Sequence, residues 1–480
     1  MSIIAFFIIG LAVLDALATQ AQDLSPSAEW GPFVEPDFPF FTSTLDTRKP
    51  GRRGPSDNLT PRGLILNLGH NCWACFDTDL LRISALWIGT GVTPVSMSQI
   101  SYHSPGTKTV EGEDHLPQII GTPWLKTGIY AGWQIGTEIS LSDPREAGPD
   151  PKEIGRGPLP VALGRFNALR LTERGMRLEY QVGNVQVIET VEAILQQDQP
   201  FIQRSFHLER RETDLTLVVG EKAASTQDEI NLELSTQPNS LSSLVEKVPR
   251  QDGIVVVHVK PSEQALDFQL AIGFGKIKTW EKTDQTPASP LRKPRWPQKL
   301  KTRAILSSTV DAYVSDNIPL PVQNPWHRNI RLADIAFFHE GRAAAVTFDG
   351  DVWMIEGLSG DLQNVQWHRF ASGLQEPMGL CVRDDELFVC DRNGIWRLRD
   401  TDKNGEADIY EMFSNAYTQT AETREYAQGI RAAPDGSFVI AKGGSKCPHW
   451  ENTMALYCAS PRTADPVPSL VTDFALRLSA

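Results

Sequence analysis

The stretch Asp400-Thr401-Asp402-Lys403-Asn404-Gly405-Glu406-Ala407-Asp408-Ile409-Tyr410-Glu411 carries oxygen donors at the spacing of the twelve-residue calcium loop. Asp400, Asp402, Asn404, Asp408 and Glu411 fall at positions one, three, five, nine and twelve. Glu406 stands at position seven, where such loops use a backbone carbonyl, and Gly405 at six, where the chain turns sharply. Ca²⁺ takes about six to eight hard oxygens, and this spacing curls carboxylates around one point. The expected metal set is therefore Asp400, Asp402, Asn404, Glu406, Asp408 and Glu411. Ile395-Trp396-Arg397-Leu398 before the loop reads as a strand, so the site is not an EF-hand. Its expected role is structural, with Ca²⁺ supporting folding by linkage. The competing reading is an acidic β-turn without metal.

The elements that would hold this loop repeat. Asp334–Gly357, Pro377–Asp400 and Ala427–Gly444 each read as an apolar strand, a tight polar turn and a second strand. Units of roughly 40–50 residues with four short strands are what a β-propeller blade requires. The reading is an incomplete propeller of two to three blades over 304–444, with the calcium loop between strands. Ala304–Leu320 reads as a further strand entering this region.

Upstream, 22–282 reads as an all-β, sandwich-like domain, so the fold class expected is mainly β. Met176–Val182 alternates apolar and polar, Gly183-Asn184 supplies a two-residue turn, and Val185–Val187 returns as a hairpin. Leu215–Val219, Ile254–Val259 and Phe268–Ile272 are further strands. Trp30–Gly63 is Pro-rich and reads as irregular chain laid over a surface. Residues 283–303 are rich in Pro, Lys and Arg, the composition of an extended, solvated linker.

Other chemistry is thin. Trp124, Tyr130 and Trp133 with Gly128 and Gly132 could form a platform for sugar stacking, against the commoner use of such rings in packing. Cys72 and Cys75 form a CxxC on a strand-like segment, and Phe76 follows where haem attachment needs His. A packing role is expected for them, and an unbridged pair for Cys381 and Cys390. His103, His115, His339 and His368 lack partners at zinc or triad spacing. Catalytic and organic-cofactor-binding residues stay unknown.

The chain has 480 residues and a formal charge of −13, which argues against nucleic acid and anionic membranes as partners. The apolar run Ile3–Leu14, with small residues to Ala21, reads as a signal peptide over 1–21, too short for a stable membrane span. The expected location is periplasmic or secreted.

Trp30-Gly31-Pro32-Phe33 through Leu59-Thr60-Pro61-Arg62-Gly63, then Cys75–Arg82, resemble an uncharacterised N-terminal domain of large secreted bacterial proteins. Arg331–Phe338, Thr347–Trp353, Ala371–Leu374 with Pro377, Arg392–Arg397, Thr420–Arg424 and Pro434-Asp435-Gly436 resemble the propeller that follows it there. That propeller is similar to PQQ-dependent sugar dehydrogenases of the glucose/sorbosone type, often followed by a c-type cytochrome. The resemblance implies oxidation of a sugar or alcohol with electrons passed to a quinone, and an electron-transfer or carbohydrate partner. With no CxxCH there is no haem in this chain, and no catalytic residue carries over to a position here. The chain is expected to be inactive as it stands; the alternative class is a non-enzymatic carbohydrate- or protein-binding scaffold. Residues 445–480 read unlike a blade. Read one nucleotide earlier, Trp450–Asp465 permits strand, turn and strand, so an out-of-frame tail is expected there.

Overall fold

The computed structural model describes residues 34–48, 58–93, 108–109, 112–113, 116–146, 156–173, 175–223, 229–250, 252–275, 277, 292–421, 425–443 and 455–459. The expected signal peptide lies outside them, as does most of the expected out-of-frame tail. The protein is mainly β, and its sheets are antiparallel. The single helix among the described residues is the short 3₁₀ segment Asn239–Leu244. It is not long and apolar enough to cross a membrane.

Two sheets face each other in the N-terminal half. One runs in the order Phe40–Asp46, Leu59–Asn67, Cys72–Asp77, Arg82–Val92, Ile119–Lys126, Leu215–Lys222, Ile254–Val259 and Val245–Pro249. The other begins Ile230–Gln237, Leu266–Phe274, Gln199–Leu208, Val185–Gln196, Gly175–Val182 and Gly164–Thr172. Rings interlock between them: Phe76 meets Phe166 and Tyr180, Trp133 meets Phe206, and Trp124 meets Phe274, at centroid distances of 5.2–5.8 Å. This is a sandwich, and Gly175–Val182 shows the alternation read from its sequence, burying every second residue. The expected hairpin is present with Val182 opposite Val185, and Gly183 takes the positive φ its two-residue turn needs.

The C-terminal half holds three antiparallel meanders among the described residues. The first orders Leu332–Phe337, Ala343–Thr347, Val352–Glu356 and Val365–Ala371 from one edge to the other. The middle one orders Gly379–Arg383, Glu386–Cys390, Ile395–Arg399 and Ile409–Ser414. The third pairs Tyr426–Ala432, Phe438–Gly443 and Ala455–Ala459. Ala455–Ala459 belongs to the segment expected to be out of frame, and it pairs with Phe438–Lys442 in unbroken register.

One edge of each of the first two meanders is covered by another part of the chain. Ile409–Glu411 pairs with Ala168–Arg170, so the second sandwich sheet runs on into the middle meander. Leu300–Thr302 pairs with Val365–Trp367 at the edge of the first meander. Covering an edge in this way removes a row of unpaired backbone groups that would otherwise recruit another chain.

Three sequence expectations are corrected. Phe40–Asp46 is a fully buried strand, and Thr42 donates its backbone N–H to the Gly373 carbonyl at 2.7 Å. It is buried on both faces, so it lacks the alternation that marks a half-exposed strand. Ala304–Leu320 is irregular, joined to itself by the single bridge Ile305↔Asn317, and Val310 and Tyr313 are exposed. Ile318 and Leu320 at its end pack on the first meander, while Val310 and Val314 in its middle are exposed. The described part of the expected linker, 292–303, is docked: Trp296 is buried, and Leu300–Thr302 is a strand.

Candidate metal centre

The Asp loop joins Ile395–Arg399 to Ile409–Ser414, the last two strands of the middle meander. Its exit is tied to the first meander and to the sandwich strand beside it: Ala407 N donates to Phe370 O at 2.7 Å, and Leu171 N to Asp408 O at 2.8 Å. The loop thus sits where the first meander, the middle meander and the sandwich meet. Gly405 takes φ +94°, and a Cβ there would meet open space, so the sharp turn alone selects glycine.

Asp400, Asp402 and Asp408 each bring a carboxylate oxygen to within 4.8 Å of the others. Backbone and side-chain donors hold them there. Asn404 N and Gly405 N donate to Asp400 at 3.1 and 2.9 Å, and Thr401 N and Oγ1 donate to Asp408 at 2.6 Å each. Burial, together with the adjoining Asp402 carboxylate, raises the Asp400 pKa above the usual carboxylate value. Carboxylates crowded this closely are stabilised by positive charge between them. Three carboxylates supply up to six hard oxygens, a donor set that fits Ca²⁺.

The remaining expected ligands are placed differently. Asn404 lies in the loop, but its Oδ1 accepts from Glu406 N at 2.8 Å. The Glu406 carboxylate turns outward and accepts the backbone N–H groups of Arg295, at 2.9 Å, and Trp296. Burial raises its pKa, opposed by those two donors. Glu411 is not brought to the cluster. It sits opposite Arg397 in the register and pairs with it, Nε to Oε2 at 3.0 Å. In an EF-hand the helix after the loop carries position twelve back over the ion. Here the chain leaves at Ile409 as a strand, which advances about 3.3 Å per residue and carries Glu411 away.

Sequence reasoning missed the strap Arg292–Trp296 that lies across this loop. Arg292 Nε meets Asp402 Oδ2 at 3.2 Å, and Asn404 Nδ2 donates to Arg292 O at 3.1 Å. Trp296 stacks on Phe38 at 5.5 Å, donates Nε1 to Glu35 at 3.1 Å, and lies under the Arg369 guanidinium at 3.9 Å. Arg369 is buried and grips Glu35 and Asp351, and Arg328 holds the far oxygen of Asp351 at 2.6 Å. The strap therefore links the Asp loop to the N-terminal segment through one ionic and aromatic stack. A Trp-bearing basic stretch was the available signal, and its composition alone reads as a solvated linker.

A second buried acid, Asp391, sits in the turn between Glu386–Cys390 and Ile395–Arg399. It accepts from Asn393 N, Gly394 N and Trp396 Nε1 on one oxygen, at 2.7, 3.1 and 2.9 Å. On the other it accepts from Gln375 N and Thr42 Oγ1, at 3.0 and 3.2 Å. Burial pushes its pKa up to about 6 against these donors.

Trp124, Tyr130 and Trp133 pack, as is commoner for such rings, and form no sugar platform: all three are buried, and Trp133 donates to the Tyr180 hydroxyl at 3.0 Å inside the sandwich. Cys72, Cys75, Cys381 and Cys390 are free thiols, and burial raises Cys72, Cys75 and Cys390 to about 12, so they are inert at neutral pH.

Two segments match family profiles. Residues 74–189 match a domain of unknown function (DUF6797), and residues 332–458 match another domain of unknown function (DUF7133). The first covers strands of both sandwich sheets; the second covers the meanders and contains the whole Asp loop. No match was found among characterised proteins.

Proposed function

We propose that this chain is an extracytoplasmic, non-catalytic β scaffold whose meanders are pinned by one Ca²⁺ held by Asp400, Asp402 and Asp408. The observation that carries this reading is the convergence of those carboxylates where the first meander meets the sheet shared by the sandwich and the middle meander. An ion there neutralises a like-charge cluster and fixes the connection that the sandwich, the first meander and the strap all lean on. With the aromatic platform buried, the partner this reading favours is another protein.

Because an ion that binds only the folded chain stabilises it by mass action, about 100-fold excess over Kd contributes about 2.7 kcal/mol. EDTA is expected to lower the melting temperature of the wild-type chain by about 5 °C. Asp402→Ala should melt lower to begin with and ignore the chelator. A well-folded wild type whose melt is indifferent to EDTA would remove the proposal.

A second reading rests on the sequence resemblance of Arg331–Phe338, Thr347–Trp353 and Arg392–Arg397 to quinoprotein propellers, with the antiparallel meanders as its blades. On that reading the chain supplies blades to a PQQ-dependent sugar or alcohol oxidation, and no side chain among the described residues is assigned to the chemistry. Dye reduction with sugars in the presence of PQQ and Ca²⁺ would support it. Binding of a partner without turnover would support the scaffold.

A further inference from the structure

The calcium loop pattern leaves the position-seven side chain free, since that position offers its carbonyl. Here the free carboxylate of Glu406 caps two successive backbone N–H groups of the strap, those of Arg295 and Trp296. Asn404 at position five holds the strap at Arg292 O. Three of the loop contacts to the strap therefore come from Asn404 and Glu406, between the candidate ligands Asp402 and Asp408, and the others come from Asp402 itself, which accepts from Arg292 N and Nε at 3.3 and 3.2 Å. Beyond the loop, the strap carries Trp296 into the stack with Phe38, Glu35 and Arg369, and Arg295 to Asp37 at 3.0 Å.

We propose that the Asp loop is a cation-controlled latch: Ca²⁺ in the carboxylate cluster orders Asn404 and Glu406, and these clamp the strap and, through Trp296, the N-terminal segment. This rests on the calcium reading above. Arg292 holds one Asp402 oxygen with its backbone N–H and Nε and yields it to the ion, while the two Glu406 clamps on the backbone of Arg295 and Trp296 stay in place. Coupling of this kind is reciprocal: if the ion tightens the strap, a loosened strap must weaken the ion by the same factor.

Amide hydrogen exchange of the wild-type chain, with and without Ca²⁺, reads the strap directly, and calorimetric titration of Ca²⁺ runs beside it. The expected result is about tenfold slower exchange at Arg295 and Trp296 with Ca²⁺. Glu406→Gln should exchange fast there in both conditions. Trp296→Ala, which loosens the strap away from the loop, should bind Ca²⁺ about tenfold more weakly. Ca²⁺ binding with unchanged strap exchange overturns the latch and leaves the cation site standing. No Ca²⁺ binding at all removes the site, and the latch with it. Equal Ca²⁺ affinity in a folded Trp296→Ala also overturns the latch.

Discussion

Arg369→Ala is expected to cost about 3–5 kcal/mol, the range for breaking a buried ion pair from one side. The guanidinium is fully buried and meets two carboxylates, Glu35 and Asp351, along with the Ser372 hydroxyl at 3.2 Å and the faces of Trp296 and Trp326. Truncation leaves Asp351 to Arg328 and Ser372, and leaves Glu35 with the Trp296 indole. Arg369→Lys keeps the charge but loses the planar fork and the stacking, so it should recover only part of the loss. Urea unfolding midpoints measure both. An alanine variant within about 1 kcal/mol of wild type would show that the stack does not hold the N-terminal segment to the first meander.

Asp391→Ala should be comparably severe, because it strands four buried N–H donors, while the Thr42 hydroxyl keeps the Gly373 carbonyl at 3.0 Å. Each stranded donor costs about 1–3 kcal/mol, with partial relaxation. Asp391→Asn separates hydrogen bonding from charge, since its carbonyl can still take the three donors of the turn. The raised pKa sets the sign of the pH effect. A carboxyl lifted from 3.8 to about 6 contributes stability that is full below the unfolded value and lost as pH rises through about 6. The wild type should therefore lose up to about 3 kcal/mol relative to Asp391→Asn between pH 4 and pH 7. Parallel denaturation at those two pH values reads this difference, and a gap that does not change with pH contradicts the assignment.

The features legible in the sequence are those fixed by neighbours along the chain. The hairpin at Gly175–Gln196 follows from alternation and a Gly-Asn turn, and the Asp loop from spacing within twelve residues. What stayed hidden is set by partners far away. Glu406 meets the strap 110 residues upstream, and Arg369 meets Glu35 across 334. No local pattern announces such pairs, so 292–303 read as solvated. The same blindness assigned a strand to Ala304–Leu320, whose central apolar residues Val310 and Tyr313 are exposed. It also gave Glu411 to the ion, because spacing counts residues and does not see that the chain leaves the loop extended.

Titrating Ca²⁺ calorimetrically into the chelator-treated chain tests the account most directly, with an Asp400→Asn/Asp408→Asn variant beside it. The account predicts one ion bound per wild-type chain and none by the variant, with circular dichroism showing the same β fold in both. A folded wild type that takes up no Ca²⁺, or a variant that binds it as well, would contradict it.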